Sequence, residues 1–240
     1  MKKLAHLLLL GIALVPQAHA ADKKFDTQAV TFFGKTINLP IPDGYVDPGK
    51  YSEPFKKFAE SVYSNQHVFA LWVPMASIKA AVAGSKAPIP DVHVSVPLTG
   101  WTAPLSDIEF AKLKAETIKH SATNVKEEIT DFNLKLAPNI AATLGEIIRQ
   151  DTHLAAGQAS TPVIFDERSN SFSVLTLTPV KLNAGQTTIT MVSATTSTIL
   201  RTDQHLMWVL VDQQISTPQD IADVKARTKQ WLDEFAVANP

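Results

Sequence analysis

The sequence predicts an α+β fold: an antiparallel sheet that ends in a strand meander and is flanked by helices. Three strand-like runs carry most of that expectation. Residues 172–180, 187–200 and 205–212 follow one another closely, joined by turns at Asn183-Ala184-Gly185 and Thr202-Asp203-Gln204. Connections so short join antiparallel neighbours, because a parallel pair needs a long crossover. A second observation is Ser216-Thr217-Pro218-Gln219-Asp220, with Thr217 as helix cap and Pro218 at the first helical position. The helix it opens carries an apolar stripe of Ile221, Val224, Trp231 and Phe235, flanked by Thr228 and Leu232, suited to packing on that sheet. A third is the run 67–73, apolar on both faces and so expected to be covered on both sides.

The remaining elements follow in chain order. Met1, Lys2 and Lys3, an apolar run to Val15, and Ala18-His19-Ala20 have the layout of a secretory signal peptide, with cleavage expected after Ala20. Its apolar core is too short to span a bilayer of roughly 30 Å. The rest, 21–240, reads as one domain. Residues 29–33 and 35–39 predict two strands meeting at Gly34, stopped by Pro40-Ile41-Pro42-Asp43-Gly44. Ser52 caps an expected helix over 53–63, turns of helix are expected at 76–82, and an alternating strand at 92–96. Ser106 and Glu109 form a capping box opening a helix to about His120, expected to bury Ile108, Ala111, Leu113 or Ala115, and Ile118. A further helix is expected over 124–136, ended by Pro138.

Composition narrows function mostly by exclusion. The chain has 22 Lys and Arg against 23 Asp and Glu, and removal of Lys2 and Lys3 leaves 20 against 23. Without a basic patch, nucleic acid and an anionic membrane surface are not expected partners. There is no cysteine, which removes thiol nucleophiles, thiolate metal sites and a lipid-modified cysteine after the leader. Past residue 20 no stretch of 18 apolar residues occurs, so no membrane anchor is expected after cleavage.

No catalytic signature stands out. The G-x-S-x-G elbow, the H-E-x-x-H helix and the glycine-rich phosphate loops are absent, and no cofactor is implied. Asp91 and His93, Asp151 and His153, and Asp203 and His205 each stand two apart, on one strand face. Such pairs serve a metal only with a third ligand from elsewhere, and otherwise read as solvated strand-edge residues, so no metal is expected. Candidate ligand-binding residues are Tyr45 after a turn, Trp101 in a loop, Arg201 and Asp203 around the last turn, and His205. Core anchoring or chain-end packing is the more common role for such aromatics, and Arg201 and Asp203 can pair across their turn. The Thr- and Ser-rich run 187–200 has a polar face that fits a cavity wall, a solvent face or a sheet edge.

Val30-Thr31-Phe32-Phe33-Gly34-Lys35-Thr36-Ile37-Asn38-Leu39-Pro40-Ile41-Pro42-Asp43-Gly44-Tyr45 resembles the opening of Mog1/PsbP-like proteins, a short strand running into a proline-glycine-aromatic turn. The C-terminal meander, the helix with Trp231 and the Ala238-Asn239-Pro240 tail resemble the same group, and exported bacterial proteins of that layout. The resemblance implies an α/β/α sandwich and a binding or assembly role, with no residue-level site. Together these features lead to the expectation of a soluble periplasmic binding or accessory protein whose partner is a small molecule or an envelope protein. A periplasmic hydrolase with a dispersed active site and a protein-binding envelope assembly factor are the alternatives.

Overall fold

The computed structural model describes residues 25–51, 53, 66–82, 91–97, 103–139, 141–142 and 151–240. Strands β1 (Thr27–Phe32) and β2 (Lys35–Pro40) form a separate antiparallel hairpin. Its tip is Phe33-Gly34, both at positive φ, where glycine costs nothing and phenylalanine is strained. The main sheet runs β3 (Tyr45–Val46), β4 (Gln66–Pro74), β5 (Asp91–Pro97), β10 (His205–Ile215), β9 (Thr187–Thr202), β8 (Ser171–Ala184) and β6 (Thr152–Ala156), with β7 (Val163–Glu167) also on β8. Every pairing is antiparallel. The α+β class and the C-terminal meander are therefore as the sequence predicts.

The strands β8 and β9 are longer than expected. β8 passes through Pro179, and the turn shifts to Gly185-Gln186. Proline is tolerated because it falls in the gap between β6 and β7, where no neighbouring strand requires its missing N–H. Loop groups bridge the gap, Gly157 N donating to Pro179 O and Ser160 N to Leu177 O.

Among the described residues, three helices flank the sheet. α1 (Met75–Val82) follows β4 directly. α2 (Asp107–Asp131) opens on the expected box, with Ser106 N donating to Glu109 Oε2 at 2.8 Å and Glu109 N to Ser106 Oγ at 3.3 Å. Two helices were expected here, yet α2 continues through 120–124 and on into a π-helical turn, Phe132–Leu136. That stretch holds no Gly or Pro, so nothing local stops the helix. Its buried face also differs from expectation. Ile108 is 82% exposed and Ala111 and Ala115 are exposed, whereas Phe110 is only 2% exposed and packs with Phe172, Ile199 and Leu206. Ile108 loses its place because Asp107 and Arg201 fix the rotation of the first turn. The helix expected over 53–63, the signal segment, and most of 141–150 lie outside the described residues.

α3 (Pro218–Ala238) meets expectation closely. Thr217 and Asp220 make a reciprocal capping box, and Val224, Thr228, Trp231, Leu232 and Phe235 are buried. Their partners are Val92, Val94, Val209, Val211 and Ala194 of the sheet and Phe32, Ile37 and Leu39 of the hairpin. Trp231 Nε1 donates to Pro40 O at 2.9 Å. Asn239 closes the contact like an extra strand, accepting from Asn38 N and donating to Asn38 O, each at 2.8 Å.

Trp231→Ala should lower stability by about 3–5 kcal/mol, since it leaves a cavity and orphans Pro40 O. Asn239→Ala should cost about 1–2 kcal/mol through its lost side-chain hydrogen bonds, two to Asn38 and one to Phe235 O. Urea unfolding of both variants checks the pair, and equal losses would contradict this account of the contact.

Candidate functional site

Three of the residues expected to bind a ligand, Arg201, Asp203 and His205, make contacts with other segments of the chain. Arg201, near the end of β9, donates to Leu105 O at 2.8 Å, pairs with the Asp107 carboxylate, and lies 5.7 Å from the Phe110 ring centre. Asp203 pairs with Lys35 of the β1–β2 hairpin. Arg201 and Asp203 thus take separate partners and do not pair across their turn. The His205 ring stacks on Phe33 with centroids 3.8 Å apart, and its Nδ1 has no hydrogen-bond partner among the described residues. Both turn residues, Asp203 and Gln204, have positive φ, and these side-chain ties help hold that strained turn. Trp101 lies outside the described residues.

Tyr45 sits at the opposite end of the sheet, on the face covered by α3. It is half-buried beside the core, with the Arg227 guanidinium 5.8 Å from its ring centre. Its hydroxyl is closed off from solvent and has no partner among the described residues. Burial raises its pKa, Arg227 acts against that, and the Asp91 charge adds to it.

The densest polar grouping lies on the other face, the one α2 packs against. Side chains alternate along β5, so Val92, Val94 and Val96 enter the α3-side core while Asp91, His93 and Ser95 face the opposite way. Register then aligns Asp91 with Asp212, His93 with Leu210 and Ser95 with Trp208 on β10. One strand further, Thr195 stands opposite Asp212, with Ser193 and Ser197 on the same face. The run 187–200 is therefore neither an edge nor a uniform polar face. Its Thr196 and Thr198 point to the α3 side, where they meet Thr228 at 2.6 Å and Ser173 at 2.7 Å.

Asp91 and Asp212 define the chemistry of this face. Asp212 accepts from the Thr195 hydroxyl and from Ser193 Oγ at 3.3 Å. Asp91 accepts from the backbone N–H of Asp212, while its Oδ1 is sealed from solvent without a partner among the described residues. Burial raises both carboxyls, most strongly Asp91, which also feels the Asp212 charge; the hydroxyl donors oppose the rise at Asp212. His93 is fully buried, and loss of solvation lowers its pKa to about 3, so the ring is neutral at ordinary pH. The face thus combines two carboxyls whose pKa values burial raises, a neutral imidazole and several hydroxyls, a set that can donate and accept hydrogen bonds or pass a proton.

Asp91 and His93 share a face as their spacing predicts. Among the described residues, no group of three His, Asp or Glu side chains gathers as a metal set. Asp203 and His205 go to different partners, and Asp151 and His153 approach to 3.6 Å at an exposed corner. Asp212 escaped the sequence reading. Its one local signal is a carboxylate ending an otherwise apolar strand, and the match to Asp91 depends on β5 lying beside β10.

No family model matches the chain, and no curated protein matches it. Among solved structures, the Ran-binding protein Mog1p of Saccharomyces cerevisiae is similar at 11% identity, over 90% of this chain and 95% of that one, with a TM-score of 0.34. A likeness at that level carries no argument about this chain. The fold class rests on the strand order itself.

His93 makes stability fall on acidification. The unfolded chain takes up its proton below about pH 6.5, but the folded chain resists until about pH 3, so stability is lost as pH falls through that window. His93→Gln should flatten thermal stability there, as scanning calorimetry across the window would show. An unchanged acid slope would rule out the buried neutral imidazole as its cause.

Proposed function

We propose that the chain is an exported binding or accessory protein of the periplasm, and that the polar face bearing Asp91 and Asp212 takes up a small polar ligand. The observation that carries this reading is the Asp91 Oδ1 atom, closed off from solvent with no partner among the described residues, beside a second carboxyl whose Oδ1 accepts from two hydroxyls. An unmet buried acceptor costs about 1–3 kcal/mol, so such an atom favours an occupant that bonds to it. The leader-like residues 1–20 support the address, and so does the resemblance of both ends of the chain to exported bacterial proteins.

One alternative draws on the same observation. A protonated acid facing an ionised one is the pairing that general acid–base hydrolysis uses, which favours a periplasmic hydrolase as the second reading. A protein-binding assembly factor finds less support. The exposed large apolar residues Phe33, Tyr51, Ile108, Leu134, Val163 and Val237 sit on separate elements.

The test is native mass spectrometry of protein recovered from the periplasm of its own host. A chain beginning at Ala21 and carrying a small-molecule adduct that Asp91→Asn loses is the expected result. A chain retaining residues 1–20 would overturn the address. Absence of any adduct, or an adduct unchanged in Asp91→Asn, would overturn the site. Turnover of the recovered ligand, abolished in Asp212→Asn, would decide for the hydrolase.

A further inference from the structure

Among the described residues, strands β3, β4 and β5 connect to the rest of the main sheet through the β5–β10 seam alone, which pairs Asp91–Ser95 with Trp208–Asp212. Its last rung is Asp91 against Asp212. Directly opposed side chains on antiparallel strands have Cβ atoms about 4.5–5.5 Å apart, and like charges there repel. The hydrogen bonds are unequal, since Asp212 has two hydroxyl donors whereas Asp91 Oδ1 has none. A proton on Asp91 would let that acid face the Asp212 carboxylate without repulsion.

Nearby charged groups do not replace that proton. On the other face of the sheet Tyr45 of β3 feels the Asp91 charge but is neutral at ordinary pH, and along β5 the pair is faced by the neutral His93. From α3 comes Arg227, which is committed to Gln213 at 3.0 Å and to the Tyr45 ring. No other element shows a cation on the pair among the described residues.

We propose that Asp91 and Asp212 form a proton-dependent clasp: with one proton between them they close the end of the β5–β10 seam, and losing it frays β3–β4–β5 away from β10. The clasp belongs to the ligand-free chain and stands independently of the binding reading. A folded-state rise in a carboxyl's pKa stabilises at low pH and is lost as pH climbs from the ordinary Asp value toward the raised one, so the fraying falls on the alkaline side. His93 acts with the opposite sign, on the acid side.

Amide exchange, corrected for its intrinsic pH dependence, tests the clasp on the ligand-free chain. In the wild type, protection over 91–95 and 208–212 should fall about tenfold or more between about pH 5 and about pH 8, one pKa unit corresponding to tenfold. Protection along β8 and β9 should hold. Asp91→Asn, or Asp212→Asn should the first variant fail to fold, should keep its protection at the higher pH. Carboxyl carbon NMR should find one Asp titrating well above the others. Unchanged wild-type protection, an equal fall in both variants, or an ordinary titration for every Asp would overturn the proposal.

Discussion

The contact on which the rest of the structure depends is that of α3 with the central strands. Val224, Thr228, Trp231, Leu232 and Phe235 bury a continuous stripe, and the strand residues they meet, Val209, Val211 and Val94, are fully buried. The β1–β2 hairpin has no strand pairing to the main sheet. Its place is set by that helix, through Trp231 on Pro40 and Asn239 on Asn38, and by Gln28 donating to Phe69 O. The C-terminal helix therefore also fixes the N-terminal strands, and the energy is chiefly apolar burial, with the hydrogen bonds setting register.

That arrangement divides the sheet into two chemically distinct faces. On the α3 side Ser173 meets Thr198 and Thr196 meets Thr228, while the buried Ser171 hydroxyl has no partner among the described residues. On the α2 side apolar packing is concentrated near Phe110, Phe172, Ile199 and Leu206, and the neighbouring stretch carries Asp91, His93, Asp212 and Thr195. Buried polar groups of this kind lower stability unless each is partnered or neutral. Here burial keeps His93 neutral and shifts Asp91 toward its neutral form. A fold that keeps such groups accepts an energetic cost that apolar residues of equal size would remove.

What the sequence reveals and what it hides have different physical ranges. The meander, the Ser106–Glu109 capping box, the Thr217 cap and the stripe of α3 depend on residues within a few positions of each other, and all are legible. The reply of Asp220 to Thr217, which makes that cap a box, appears only in the structure. The burial of Phe110 rather than Ile108 is less visible, because Arg201, far along the chain, rotates the helix. Strands β6 and β7 escape for a similar reason, as their short mixed sequences become strands only against the edge of β8. The candidate site was half legible. Asp91 and His93 declare a shared face by spacing, whereas Asp212 joins them only through the register of two strands far apart in sequence. Arg201, Asp203 and His205, attractive as loop-end ligands, turn out to have nearby chain segments as partners.

The break at Pro179 bears on how copies of this molecule meet one another. A long, straight outer strand offers a row of free amides and carbonyls, a template on which a second chain can grow. β8 would be such a strand over its 14 residues, yet its outer side is covered by two short pieces, β6 and β7, with a proline at their junction. Backbone from Gly157 and Ser160 takes up the carbonyls on either side. The border of the sheet is thereby cut into lengths too short to nucleate strand-on-strand growth, which guards against self-association wherever the chain becomes concentrated.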